Sequence, residues 1–366
     1  MNSSLLFSFG LFVFTGLILS FMPYFTRRTE SFGVSIPEVY YERKELKKMR
    51  SRYSKIMLAT LVLLLMILLL IFYFTPETVF YISFTVLLIV YLITSFLIYL
   101  PFHYQMKRIK KEKNWQAEFT EETVVDLSFR NEKITLSRWF YVIPFFITVA
   151  TIVYTFSIYD SIPVQVWRHI SFSGEITYTD KTPGTLLHLP IMQLFMIGTF
   201  LIIDYVISQS KQQLSPAKPE ISKKQNILFR RRWSIFLFIM GTLVVVMFSF
   251  MQLSIIHESL IPYLDPVNYT IIGIILVGTI WLSIRTGQGG SRIKVKGEEE
   301  ALKMERDEDR YWKLGQFYFN KDDPSIFVEK RFGVGWTNNW AHPLSWILLI
   351  ILIGTPILII ILLQNL

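Results

Sequence analysis

The chain contains no cysteine. Disulfides, thiolate metal sites and cysteine nucleophiles are therefore excluded. Charge is scarce as well. Charged residues make up 18% of the 366 positions, against roughly 25% in an ordinary soluble domain. Histidine occurs only at His103, His169, His188, His257 and His342, with no HxH, HxxxH or HExxH spacing. Metal-ligand motifs are thus missing. The chain also lacks GxSxG, a Walker loop, a dinucleotide fingerprint and a paired-carboxylate signature. Nothing here supports an enzyme, and no cofactor is expected.

Apolar residues are abundant. They make up 52% of the chain, and Phe alone occurs 31 times. A hydrocarbon span needs about 20 mostly apolar residues as helix. Eight stretches qualify, near 4–24, 56–75, 79–101, 139–159, 189–209, 234–256, 269–286 and 343–364. The expected fold class is an all-α integral membrane protein of about eight transmembrane helices. A small cytoplasmic α+β element, a short β-hairpin, is expected before the last helix. The start, MNSSLLFSFG, has no basic region ahead of its apolar run. It reads as a retained span rather than a cleaved signal.

The net charge of +9 is unevenly distributed. Segments 25–55, 102–138, 209–233 and 285–342 hold nine, eight, seven and eleven Lys or Arg, leaving only Arg168 and Lys181 elsewhere. Basic loops stay in the cytoplasm, so both termini are expected outside a bacterial plasma membrane. The basic balance then reports orientation. The lipid bilayer is the expected partner, and nucleic acid is not.

Five regions follow. Residues 1–138 carry three spans and two basic loops. Residues 139–209 form a two-span module with an outer loop at 160–188. Residues 210–286 add a linker and two spans, 287–342 a cytoplasmic domain, and 343–366 the last helix. In the first basic loop, Ser35 and Glu38 have capping-box spacing. Val39, Leu46, Met49 and Tyr53 fall on one helical stripe, which suits a helix on an anionic leaflet or a solvated connector. TVVDLSF and ITLSRWF read as strands around the turn RNEK, and ISFSGEITY as a short hairpin. EEALKMERDEDRYW reads as a charged helix. FYF at 317–319 and IFV at 326–328 read as two strands joined by NKDDP. TGQGGSR at 286–292 reads as a helix C-cap and linker; its backbone amides are also of a kind that binds phosphate.

An acid inside an apolar run is a functional candidate by default, and Asp204 in LIIDYVIS is the clear case. Its carboxylate lies near a span end, within reach of a basic loop residue. On the outer side, Trp167, Arg168, His169, Lys181, His188 and Gln193 are candidate ligand contacts. Gln193 and Gln252 sit at similar depth, where they line a shallow pocket or bond helix to helix.

Two stretches resemble known families. IPVQVWRHISFSGEITYTDKTPG…LPIMQL at 162–194 resembles the short module of a bacterial membrane family of unknown function. SdpI-like immunity proteins, which protect producing bacteria from a secreted membrane-active toxin, share that module. Ile162, Pro163, Val166, His169, Gly174, Lys181 and Pro190 match it. Trp167 replaces a usual Pro, Thr177 a usual Asp and Thr182 a frequent Ser. DEDRYWKLGQFYFNKDDPSIFVEKRFGVGWTNNWAHP resembles a second module of unknown function, and FGVSIPE at 32–38 and TGQGGSR look like pieces of the same architecture. The resemblance implies a non-enzymatic envelope protein that senses, or confers tolerance to, a membrane-active peptide, with a regulatory protein as a further partner. A transporter or flippase for a small amphiphile or lipid is a second reading, resting on eight spans, Asp204, Pro144, Pro190 and Pro356. A membrane scaffold is the third.

Overall fold

The computed structural model describes residues 3–118, 132–170, 175–211, 214, 219–295 and 308–364. It is mostly helical, at 73%. The helices are α1 (Ser3–Phe25), α2 (Lys44–Phe74), α3 (Glu77–Glu112), α4 (Val142–Ser157), α5 (Pro183–Gln209), α6 (Pro219–Ile256), α7 (Leu264–Thr286) and α8 (Pro343–Gln364). The strands are β1 (Glu30–Ser31), β2 (Val34–Ser35), β3 (Gln165–Ile170), β4 (Ile176–Asp180), β5 (Trp312–Lys313), β6 (Phe317–Tyr318), β7 (Phe327–Glu329) and β8 (Trp336–Asn338). They pair in sequence as four antiparallel hairpins.

Among the described residues, seven helical segments are long and apolar enough to cross a membrane, consistent with a membrane protein. Only 22% of the apolar window of α2 is buried within the protein. Side chains such as Leu63, Met66 and Leu70 are left uncovered. The stretch expected as an eighth span is α8, whose apolar segment Pro343–Leu358 is shorter. The break between α2 and α3 follows from Pro76, which disfavours helical backbone in the residue before it. Thr75 is extended, at φ −129° and ψ 158°.

The chain forms two compact units. The first holds Met1–Ile134, Gln209–Arg230 and Ile280–Ser345. Its core lies among α1, α2 and α3 and is rich in rings. Phe32 stacks on Phe102 at 5.2 Å and on Phe332 at 6.0 Å, with Tyr53 edge-on to Phe102. Leu46, Met49 and Tyr53 are buried in this core, and Val39 is exposed. The expected stripe therefore faces protein. The Ser35–Glu38 capping box does not form. Ser35 belongs to β2, and the 3-10 turn at Glu38–Tyr40 starts from Pro37 with no side-chain cap.

In the C-terminal part of this unit, the two expected strands exist but do not pair with each other. β6 pairs β5 and β7 pairs β8. Buried Asn339 joins the hairpins. Its Oδ1 accepts from the Asn320 N–H at 3.1 Å, and its Nδ2 donates to the carbonyls of Asn320 at 2.8 Å and Asp323 at 3.1 Å. Two-residue strands cannot hold themselves, so a fully bonded buried amide sets their arrangement. TGQGGSR ends α7 as a cap: the Gly287 N–H bonds Ser283 O, and the Arg292 N–H bonds Thr286 O. TVVDLSF and the EEALKMER part of the expected charged helix lie outside the described residues. ITLSRWF is not a strand, and its last residues enter the 3-10 turn Arg138–Tyr141.

The second unit holds Thr135–Ser208, Arg231–Thr279 and Trp346–Leu366. Within it, α4, α5 and α6 share a polar seam. The hairpin β3–β4 starts before the expected ISFSGEITY, at Gln165, and carries a bulge between Trp167 and His169.

Candidate functional site

The seam of the second unit is built from small hydroxyls and amides at helical spacing. Thr148, Thr151 and Thr155 lie on one face of α4, and each donates to the carbonyl four residues back. Thr151 also bonds Ser249 at 3.0 Å. Gln193 of α5 donates to Ser249 at 2.8 Å and to Val245 O at 3.1 Å. Gln252 of α6 donates to Leu186 O at 2.9 Å. Both glutamines are wholly buried, and their Oε1 atoms have no partner among the described residues.

Asp204 closes one end of the seam. It is wholly buried and accepts a bond from the Ser234 hydroxyl, which itself accepts from the Leu136 N–H at 2.8 Å. Arg138 Nε lies 3.8 Å from Asp204 Oδ2. The same guanidinium bonds Ser208 at 3.2 Å and stands 5.3 Å from the Tyr205 ring. A basic residue outside the apolar run thus reaches the acid.

At the other end stands the 159–190 segment. Ile162, Val166, Leu186 and Ile256 form a small buried cluster beneath it. Trp167 is buried, and its Nε1 donates to Ser254 O at 2.7 Å. Lys181 donates to the carbonyls of Tyr159 at 3.0 Å and Ile162 at 2.9 Å, with its ammonium 4.7 Å from the Tyr159 ring. Arg168 is exposed and His188 half-buried. His169 pairs with Thr177 through the backbone; its side chain lies outside what the structure describes. Val164 and Tyr178 are exposed apolar surface on the hairpin. The hairpin is therefore tied down by Trp167 and Lys181 and presents Arg168, Val164 and Tyr178. Gln193 belongs with the seam.

The first unit contains a constellation that sequence reasoning missed. Glu329 is wholly buried at the end of β7. It pairs with Arg27, accepts from Asn226 Nδ2 at 2.8 Å and has Arg230 Nη2 at 3.7 Å. Arg230 also donates to the carbonyls of Ser210 at 3.0 Å and Lys211 at 2.9 Å. Gly289 makes room for this group. A Cβ there would stand 2.2 Å from Arg27 Nη2, and its φ of +61° favours glycine. A second group centres on Asp309, which pairs with Arg331, accepts from Lys110 Nζ at 2.7 Å and accepts from the Ser35 N–H at 3.1 Å. Burial pushes the Asp309 carboxyl up, but Arg331 and Lys110 outweigh it and hold it below the usual carboxylate value. Asp323 is also held low. Burial opposes this, and the Ser325 N–H and Tyr318 hydroxyl overcome it. Burial pushes the Tyr318 phenol up to about 12, so it donates to Asp323, at 2.7 Å.

These bonds bring FGVSIPE, TGQGGSR and the C-terminal module into one structure. Phe32 lies on Phe332, and Gln288 exchanges two bonds with the Gly335 backbone, at 2.9 and 2.7 Å. At Gly33, with φ +72°, a Cβ would meet Gly315 O at 2.4 Å.

A family of unknown function, DUF5808, matches residues 321–346, which cover β7, β8 and the start of α8. No curated protein and no solved structure matches the chain. Among the described residues, no three His, Asp or Glu side chains are placed to hold a metal ion.

Proposed function

We propose that this chain is a non-enzymatic, multi-pass protein of the bacterial plasma membrane that senses, or confers tolerance to, membrane-active peptides. It crosses the bilayer eight times, with both termini outside and the hairpin modules of the first unit in the cytoplasm. The charge asymmetry of the loops supports this orientation. The observation that carries the reading is the β3–β4 hairpin. Trp167 fixes it to α6 by one hydrogen bond and Lys181 fixes it to the turn at 159–162 by two, leaving Arg168, Val164 and Tyr178 on display. A rigid platform of one cation and two apolar side chains suits an amphipathic peptide, because little ordering entropy is lost on contact.

The test is a sensitivity profile. Strains lacking and regaining the gene are titrated against secreted peptides and envelope antibiotics. A selective shift toward one peptide class, reversed by restoration and weakened by Arg168→Gln, is expected. A flat profile overturns the reading.

Transport of a small amphiphile or lipid is the second reading, favoured by the buried seam that ends in Asp204. In reconstituted vesicles Asp204→Asn abolishes flux on this reading, and normal flux in the variant removes it. A stoichiometric membrane partner after mild solubilisation would favour a scaffold over both.

A further inference from the structure

A cleft of about 340 Å³ opens in the first unit, remote in sequence from the β3–β4 hairpin. One wall is α3, through Leu92, Ser95 and Phe96, and another is Met22 of α1; Gln316 and Lys330 come from the C-terminal module. The lining is mixed in chemistry. Leu92 and Phe96 carry the apolar wall onto the uncovered face of α3, where Ile89 is 51% and Leu92 45% exposed. Lys330, which follows β7, adds a cation.

Two cations line this cleft, Lys330 and Arg331. Arg27, Arg230, Arg331, Lys110 and Lys211 each have a carboxylate partner. No carboxylate pairs with Lys330 among the described residues, although Glu329 and Arg331 flank it. Those neighbours are committed elsewhere, Glu329 to Arg27 and Arg331 to Asp309 and Glu30. The Lys330 side chain reaches the surface at the cleft mouth, and the protein packed around it lowers its pKa by desolvation. An unpaired, partly desolvated ammonium gains from an anion that enters beside it.

We infer that this cleft is a binding site for an anionic phospholipid of the cytoplasmic leaflet, with the phosphate on Lys330 and an acyl chain along the face of α3. The cleft volume lies at the lower end of small-molecule sites. It admits a headgroup and leaves the chains in the bilayer. A free phosphate would satisfy Lys330 and leave the apolar wall unused; a zwitterionic lipid would use the wall and bring its own cation to the mouth. The inference rests on the membrane orientation proposed above, with the first unit's hairpins in the cytoplasm, but not on the peptide-sensing role of the β3–β4 hairpin.

The test uses the full chain purified in detergent and supplied with phosphatidylglycerol and phosphatidylcholine in equal amounts, with bound lipid read by native mass spectrometry. Preferential retention of phosphatidylglycerol is expected. Lys330→Gln should cut that preference about fivefold, the effect of one interfacial cation, and Lys330→Arg should keep it. Ser95→Trp, which fills the cleft without changing charge, should remove it too. Lys321→Gln, an exposed lysine in the NKDDP turn, should leave it intact. Equal losses in the Lys321 and Lys330 variants would mean that surface charge alone attracts the lipid, and would overturn the site. Equal retention of both lipids by the unmodified chain, or full displacement by excess inorganic phosphate, would overturn it as well. A chain that holds neither lipid would strike at membrane insertion itself, a different failure.

Discussion

Arg27 and Glu329 stand 302 residues apart in the chain and meet as a buried ion pair, with side-chain exposures of 7% and 0%. The pair ties the first basic segment to the strand β7. Breaking a buried pair from one side leaves an uncompensated charge and costs about 3–5 kcal/mol. Glu329→Gln should therefore lower stability by that order, measured by denaturant unfolding in detergent. The Arg27→Gln, Glu329→Gln double variant should lose less than the sum of the two single changes. Additive losses would show that the pair is not coupled.

Gly289→Ala tests the same group from its backbone side. The new Cβ would press on Arg27 Nη2 at a backbone angle that L residues rarely adopt. A strained backbone position costs about 1–3 kcal/mol. A stability equal to that of the unmodified chain would contradict the crowded geometry.

Asp309 predicts an acid limit to stability. Its folded pKa is held below the ordinary carboxylate value, chiefly by Arg331 and Lys110 acting against burial. Such a group contributes its full stabilisation above the unfolded value of about 3.9. That contribution is lost as pH falls through the lower, folded value. Unfolding followed from neutral pH downward should steepen below about pH 4. Asp309→Asn should start lower and show a shallower acid slope. Parallel curves would remove Asp309 from the titration.

Ser234 passes one hydrogen bond on to another, accepting from Leu136 and donating to Asp204. Ser234→Ala leaves a buried acid and a backbone N–H short of a partner, at about 1–3 kcal/mol for each group left unsatisfied. Ser234→Thr, which keeps the hydroxyl, should lose less. Equal losses would assign the effect to packing.

Trp167 and Arg168 are neighbours with separable consequences. Trp167→Phe keeps a ring but removes the donor to Ser254 O, and should cost about 1 kcal/mol of stability. Arg168→Gln should leave the melting curve in place and weaken the peptide response. The reverse pattern would place the contact surface elsewhere.

The helices were legible because about 20 consecutive apolar residues have few other uses. Asp204 was legible for the related reason that an acid stands out in such a run, and its basic partner was expected near the span end. Pro76 marked the α2–α3 turn in the same local way. The pairing of the C-terminal strands was not legible. Strands of two or three residues carry too little alternation to set register, and Asn339, itself the second of two adjacent asparagines, arranges them through contacts with Asn320 and Asp323. The charge groups were hidden for another reason. Arg27, Lys110 and Arg230 each sit in a basic run that already had an explanation in membrane orientation. The available signal was Glu329, an acid inside the β-like stretch IFVEKRF. The Ser35–Glu38 spacing misled because Ser35 is committed to β2.

The separation of Arg27 from Glu329 also sets a timetable. Ribosomes add roughly 5–20 residues per second, so the 302 residues between the two take about 15–60 s to make. Through that interval α1 and the segment after it exist without the β7 carboxylate that pairs with Arg27, and the helices that follow are made while this unit is unfinished. The first residues to leave the ribosome belong to a unit that stays open until its last segment, ending at Ser345, is made. A nascent chain halted before β7 would lack the carboxylate that pairs with Arg27 in the finished protein.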